Sequence, residues 1–112
     1  METVAQVIVT PVMIAELKLG FLGGDRQKSN ERRLADFIAR PSVKLVGLDH
    51  ETAEYYAEIQ NYLRHTGSPV PSNDVWIAAC AMQHGCRVLT TDEHFRRIPQ
   101  VMTEYVPVRV QE

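Results

Sequence analysis

The length, composition and charge of this chain describe one small globular domain and exclude several other classes of protein. Its 112 residues, of which 45% are hydrophobic and 23% charged, suffice for a single core over residues 1–112 and exclude extensive disorder. The net charge of −2 gives no overall attraction to nucleic acid, so a nuclease would need a local basic patch or a metal ion.

The sequence contains neither a recognisable membrane span nor a secretory signal. No apolar run reaches about 18 residues, and no basic segment precedes a shorter one. Cys80 and Cys86 are expected to be reduced core residues, because no further Cys or His lies at the spacing of zinc ligands. These features predict a cytoplasmic protein with no membrane partner.

The first predicted elements are a short strand and the helix that follows it. Val7–Thr10 is an apolar run, and Pro11 suits the first turn of a helix. The helical spacing continues to Gly23 and Gly24, which end the helix. Glu16 lies about one turn inside this helix, and its side chain is expected to lean back toward the helix N-terminus.

A second helix, a strand and a long third helix follow. The second helix is predicted to begin near Ser29 or Asn30 and to end before Pro41, and Val43–Leu48 is strand-like. Asp49 is predicted to cap the third helix. The expected inner face of that helix consists of Ala53, Tyr56, Ile59 or Gln60, and Leu63.

The last third of the chain predicts a helix, a strand, a helical turn and a final strand. The helix is predicted to start at Asp74 and to end at Gly85, which makes it roughly 16 Å long. The buried strand 87–91 returns roughly the same distance. A helical turn over 93–98 and a strand over 105–110 follow. That strand is expected at the edge of the sheet, because Pro107 has no backbone N–H to donate to a neighbouring strand.

Strands that alternate with helices indicate an α/β domain with a mostly parallel sheet flanked by helices. In such a sheet Glu16, Asp74 and Asp92 converge at the carboxyl edge, where open α/β sheets bind ligands. We expect the carboxylates of Asp74 and Asp92 to lie within about 7 Å of each other, with Glu16 close enough to share one hydrated cation. Mg²⁺ and Mn²⁺ prefer such oxygen ligands. The alternative is that these acids only cap helices and carry surface charge.

Three segments of the chain resemble the PIN-domain family, in particular the VapC-type toxins of bacterial toxin–antitoxin pairs. Pro71–Ala79 reads P-S-N-D-V-W-I-A-A, similar to the family pattern P-x-N-D-x-x-I-A-A. Thr90–Phe95 reads T-T-D-E-H-F, similar to T-x-D-x-x-F. Ile8–Gly20 resembles the family's strand-to-helix segment that carries a glutamate. The resemblance covers nearly the whole chain and implies a three-layer PIN-like fold.

Carried over residue by residue, the resemblance implies that Glu16, Asp74 and Asp92 match three of the family's four metal-site acids. It also implies that Thr90 hydrogen-bonds the acidic cluster and that Asn73 helps to orient it. The implied activity is Mg²⁺- or Mn²⁺-dependent cleavage of single-stranded or structured RNA, leaving a 5′-phosphate. The implied partner is an antitoxin that occupies the site.

The chain departs from the family pattern because the family's first strand, first helix and first acid have no counterpart in it. The only acid before Glu16 is Glu2, which follows no apolar strand. We therefore expect weak or absent RNA cleavage from this chain, restored when the strand and its Asp are supplied. Val7–Thr10 and Val88–Thr91 are expected either to pair directly or to be bridged by strand exchange in a homodimer, the favoured outcome.

Several further side chains have a structural and a functional interpretation. Trp76 and the tyrosines of the third helix are expected in the core or a dimer contact rather than as RNA-stacking platforms. Arg96, Arg97 and His94 are candidate substrate-binding residues because they follow Asp92. A basic cluster is predicted to be a solvated helix face, or alternatively a phosphate-binding patch; it consists of Arg26, Lys28, Arg32, Arg33 and Arg40.

The leading hypothesis is a metal-dependent endoribonuclease of the VapC type. The alternative is a catalytically inactive PIN domain that binds an antitoxin or RNA. An in-frame strand ending in Asp-Thr upstream of Met1 would favour the enzyme. A metal-dependent phosphatase ranks below both, because nothing in the chain resembles a phosphatase nucleophile loop.

Overall fold

A computed structural model describes residues 7–90 and 93–105, without the side chains of residues 89, 90, 104 and 105. The chain divides into two compact units, Met1–Gly47 and Leu48–Glu112. Within the described ranges, no helix is both long enough and apolar enough to cross a lipid bilayer.

The first unit contains the strands β1 (Val7–Val9) and β2 (Val43–Leu45) and the helices α1 (Pro11–Leu22) and α2 (Gln27–Ile38). The strands are parallel, with Val7 opposite Val43. Thr10 caps α1 by accepting a 3.3 Å hydrogen bond from the Met13 amide, and Pro11 follows at a position where no amide donor is needed. Among the described residues of this unit, Val9, Thr10, Leu34 and Val46 are buried.

The second unit contains α3 (His50–Thr66), α4 (Ser72–His84), β3 (Val88–Thr90), a 3₁₀ helix (Glu93–Arg97) and β4 (Thr103–Tyr105). β3 and β4 are parallel. Helices α3 and α4 pack on each other around a core that contains Ile59, Leu63, Val75, Ala78, Ala79, Ala81, Val88, Phe95 and Ile98. This core fixes α4 and the 3₁₀ helix, the two elements that carry the candidate site.

A network of polar side chains joins the start of α3 to α4. Asp49 caps α3 by accepting a 3.1 Å hydrogen bond from the Thr52 amide, and the Thr52 hydroxyl accepts one from the Asp49 amide. Gln83 of α4 donates to the Asp49 carboxylate at 2.9 Å and accepts from the Thr52 hydroxyl. The predicted cap is therefore confirmed, and it also ties two helices together.

Both helices of this pair end on a glycine in the left-handed conformation. Gly67 has a φ of 65° and Gly85 a φ of 62°, values that side chains with a Cβ rarely adopt. The Cys86 amide donates to the Ala81 carbonyl oxygen, as in a Schellman motif. The predicted helix end at Gly85 is confirmed.

The predicted α/β architecture with parallel strands is confirmed, while several boundaries differ. Helix α2 begins at Gln27, before the predicted start, and β2 ends at Leu45 rather than at residue 48. On α3, Ala53 is exposed and Thr52 is buried instead, because Asp49 and Gln83 satisfy the Thr52 hydroxyl. Strand β4 covers residues 103–105, and most of the predicted strand 105–110 lies outside the described residues.

Candidate functional site

Asp74 lies in the first turn of α4 and is nearly buried. Helix α4 begins at Ser72, two residues before the predicted start, so Asp74 is its third residue and not its cap. The helix starts earlier because Pro71 is extended and its carbonyl oxygen accepts from the Asp74 and Val75 amides, at 3.0 and 3.2 Å. A carboxylate in this turn is stabilised by the helix dipole. The Asp74 side chain keeps 12% of its surface accessible.

His94 approaches the Asp74 carboxylate from the 3₁₀ helix. Its Nδ1 atom is 3.5 Å from Oδ2 of Asp74, within ion-pair distance but longer than a formed N–H···O hydrogen bond. The Nδ1 atom is buried. The His94 side chain as a whole is 42% exposed, so its accessible surface belongs to the other atoms of the ring and the side chain. The nitrogen that faces the carboxylate is therefore shielded from water.

The 3₁₀ helix is anchored by its apolar side chains and by one arginine. Phe95 in this helix and Ile98 just after it are 3% and 1% exposed. Arg97 donates from Nη1 to the carbonyl oxygen of Pro69 at 2.5 Å, in the loop that leads into α4. Arg96 donates to Glu93 within the same short helix. The substrate-binding role of Arg96, Arg97 and His94 stays a prediction, and each now has a defined intramolecular contact.

The other predicted site residues are distributed as follows. Glu16 is exposed on α1 in the first unit, and Asn73 is exposed as the second residue of α4. Thr90 is the last residue of β3, and Asp92 lies outside the described residues. The predicted convergence of Glu16, Asp74 and Asp92 is thus not tested, and it stays a prediction.

The donor groups described around Asp74 are one carboxylate and one imidazole ring, and this pair does not by itself select a metal ion. Asp74 offers carboxylate oxygens, which Mg²⁺ and Mn²⁺ prefer, and the buried ring nitrogen of His94 faces this carboxylate. Considering only residues 7–90 and 93–105, no three His, Cys, Asp or Glu side chains are grouped closely enough to hold a metal ion. The role of Asp74 in a metal site therefore stays a prediction.

The two cysteines have properties of core residues rather than of metal ligands. Burial, together with nearby Cys86 and Asp49, raises the pKa of the Cys80 thiol to about 11. Burial also raises the pKa of Cys86. A thiol that stays protonated is a poor metal ligand. Both are free thiols, which agrees with the sequence prediction.

A shallow apolar depression of about 220 Å³ lies elsewhere in the second unit. Its lining includes Tyr55, Met82, Cys86, Val101 and Met102. Within the part of the chain that the structure describes, its lining includes no charged side chain.

The contact between His94 and Asp74 is the feature of this site that sequence reasoning missed. The sequence placed His94 beside the site, two residues after Asp92, and assigned it to the substrate. The sequence carried no signal for this contact, because it depends on how the 3₁₀ helix packs against the start of α4.

Comparison with known proteins agrees with the predicted resemblance. A family model described as the PIN domain matches residues 1–101. Ribonuclease VapC4 of Mycobacterium tuberculosis is 34% identical over 93 residues, which are 83% of this chain and 72% of that protein.

Several solved structures with a similar fold come from VapBC systems. The chain is similar to VapBC2 from Rickettsia felis, a structure bound to a DNA fragment from the promoter, with a TM-score of 0.79 and 24% identity. That match covers 89% of this chain and 74% of the other. The chain also matches VapBC-5 from Mycobacterium tuberculosis, a member of the VapBC family of toxin–antitoxin systems, with a TM-score of 0.74 and 25% identity. That match covers 93% of this chain and 100% of the other.

Proposed function

Because this chain belongs to the PIN-domain family and has a VapC ribonuclease among its relatives, we propose that it is a metal-dependent endoribonuclease of the VapC toxin type. The observation that carries the proposal is the nearly buried carboxylate of Asp74 in the first turn of α4. A shielded acid at this position has little value as surface charge and is suited to binding a cation.

Asp74, Asp92 and Glu16 are the proposed metal ligands and catalytic residues, with Asn73 and Thr90 in support. Mg²⁺ or Mn²⁺ bound there would act as a Lewis acid on the RNA phosphodiester and would acidify the attacking water. The protein's own contribution is to hold Asp74 rigidly, through the packed start of α4 and the anchored 3₁₀ helix. Arg96 and Arg97 are proposed to contact the substrate.

We propose a cognate antitoxin as the protein partner, because VapBC-5 is described as a member of a toxin–antitoxin family. We also propose that the chain forms a homodimer in the cytoplasm. Exposed apolar side chains on α1, at Leu17, Leu19 and Leu22, support self-association. Light scattering at micromolar concentration tests the dimer, and a stable, well-folded monomer would refute it.

The enzymatic proposal is tested by cleavage of a single-stranded RNA with Mn²⁺, with and without EDTA. Asp74→Asn and Asp92→Asn should reduce cleavage to background because each removes a proposed ligand charge. Asp36→Asn, on an exposed position of α2, removes a carboxylate outside the site and should retain full activity. All variants should be checked for unchanged folding by circular dichroism.

Two outcomes would contradict the proposal. Cleavage that persists at the same rate in Asp74→Asn would show that this carboxylate is not catalytic. An absence of cleavage even when the family's first strand and its Asp are supplied, combined with tight antitoxin or RNA binding, would favour the inactive binding module instead.

A further inference from the structure

We propose that His94 is a positioning residue for Asp74, holding the carboxylate through its Nδ1 nitrogen. The inference rests on the proposed function in one respect: it takes the positioned carboxylate to be a metal ligand. It replaces the expectation that His94 acts mainly on the substrate. The first supporting observation is the 3.5 Å separation between Nδ1 of His94 and Oδ2 of Asp74.

The burial of Nδ1 makes this contact significant. Water cannot reach this atom, although the His94 side chain is 42% exposed. We expect the proton of the neutral ring to lie on this nitrogen, because a lone pair there would face the lone pairs of the carboxylate oxygen. The 3.5 Å separation is longer than a formed hydrogen bond, as is often found in unliganded sites, where such contacts tighten only when the ligand binds.

The position of the 3₁₀ helix supports the same role. Arg97 binds the carbonyl oxygen of Pro69, which precedes α4 by a few residues, while His94 reaches Asp74 inside the first turn of that helix. Phe95 and Ile98 anchor the segment in the core. His94 is therefore presented to Asp74 from a fixed backbone rather than from a mobile loop, and partners of this kind orient metal-binding carboxylates.

The two amide substitutions of histidine distinguish this role from substrate contact. The side-chain amide of Asn reaches the place of Nδ1, whereas that of Gln reaches the place of Nε2. His94→Asn should therefore keep the contact with Asp74, and His94→Gln should lose it. A role in phosphate contact through Nε2 predicts the opposite order.

The functional readout is Mn²⁺ binding by the full chain without RNA, measured from the electron paramagnetic resonance signal of the free ion. We expect His94→Gln to weaken binding by about 10- to 100-fold and His94→Asn by less than about threefold. His50→Gln, at a histidine whose side chain is 94% exposed, is the matched control and should bind as the wild type does. Equal affinity in both His94 variants, or a stronger loss in His94→Asn, would overturn the inference.

A metal-free readout separates failure of this inference from failure of the proposed function. Long-range ¹H–¹⁵N spectra of the histidine rings show which nitrogen is protonated. His65 is an internal reference, because its Nδ1 lies 2.7 Å from the carbonyl oxygen of Asn61, which can only accept. We expect His94 to carry its proton on Nδ1, with ring resonances that move in Asp74→Asn while those of His65 stay.

A His94 ring protonated only on Nε2, or one insensitive to Asp74→Asn, would overturn the inference whether or not Mn²⁺ binds. A wild-type chain that binds no Mn²⁺ but shows the expected ring state would refute the metal site while supporting the contact. The two proposals therefore fail on different measurements.

Discussion

The two units of the chain use apolar residues in different ways. In the second unit, Ile59 and Val75 are fully buried and Ile98 is 1% exposed, around the packed pair α3 and α4. In the first unit, α1 has no buried residue although most of its side chains are apolar, and Leu19 is 72% exposed. Apolar composition alone therefore does not place a helix in a core; a partner surface is also needed.

The difference is visible in how the apolar residues are arranged along each helix. Helix α3 is amphipathic, and Thr52, Ile59 and Leu63 form its buried stripe. Helix α1 is apolar around most of its circumference, a pattern typical of helices that are covered on several sides. Exposed leucines in such a helix mark a surface that another molecule can cover, which is why a partner was proposed above.

The largest expected effect comes from truncating matched apolar residues in the two units. Ile59→Ala should lower the free energy of unfolding by about 2–5 kcal/mol, because it leaves a cavity in the core. Leu19→Ala should change it by no more than about 0.5 kcal/mol, because that side chain is mostly in water. Urea denaturation at low protein concentration measures both. Equal losses would show that α1 is packed in solution.

The next effect concerns the polar network that joins α3 to α4. Thr52→Val keeps the volume of a fully buried side chain but removes the hydroxyl that contacts Asp49 and Gln83. The unfolding free energy should fall by about 1–3 kcal/mol, because Gln83 and the Asp49 amide lose a partner. Thr66→Val is the control, since its hydroxyl binds only the Leu63 carbonyl at the exposed end of α3. A similar loss in both variants would contradict a special role for the network.

A smaller effect is the pH dependence that this network confers. Hydrogen bonds from the Thr52 amide and then from Gln83 lower the pKa of Asp49 below its ordinary value. Because the ionised Asp49 is favoured in the folded protein, it contributes stability above about pH 4, the ordinary pKa of Asp in the unfolded chain. That contribution is lost as the pH falls through the lower pKa of Asp49 in the folded protein. Asp49→Asn should therefore flatten the decline in melting temperature between about pH 5 and pH 2.

Gln83→Met sharpens this test because it removes one of the donors and leaves the carboxylate in place. It should flatten the same decline only in part, since the Thr52 amide still binds Asp49. An acid profile unchanged in both variants would show that other carboxylates control acid unfolding.

How far the sequence predicted these features depends on how local each one is. The Asp49 cap and the Gly85 helix end were predictable because each depends on a few neighbouring residues. The start of α4 was placed two residues late, because an acid in a first turn resembles a cap. The exposure of α1 could not be predicted, since burial depends on residues far away in the chain.

The candidate site follows the same rule. The motif drew attention to Asp74 and to the segment after Asp92, and both conclusions came from short patterns. The approach of His94 to Asp74 depends on how a 3₁₀ helix packs against a helix start, and no short pattern encodes that distance. Sequence reasoning therefore identified the residues of the site better than their contacts.

The smallest expected effect compares two thiols within the packed unit. Cys80 is 1% exposed and has a pKa of about 11, so at pH 8 only about one molecule in a thousand carries its thiolate. Cys86 is half-buried, and its pKa is raised as well. A disulfide reagent should therefore modify the Cys80→Ser variant, which retains Cys86, several-fold faster than the Cys86→Ser variant. In the latter, modification requires opening of α4 and should accelerate with urea. Equal, urea-independent rates would show that α4 opens freely and that the second unit is less tightly packed than its burial indicates.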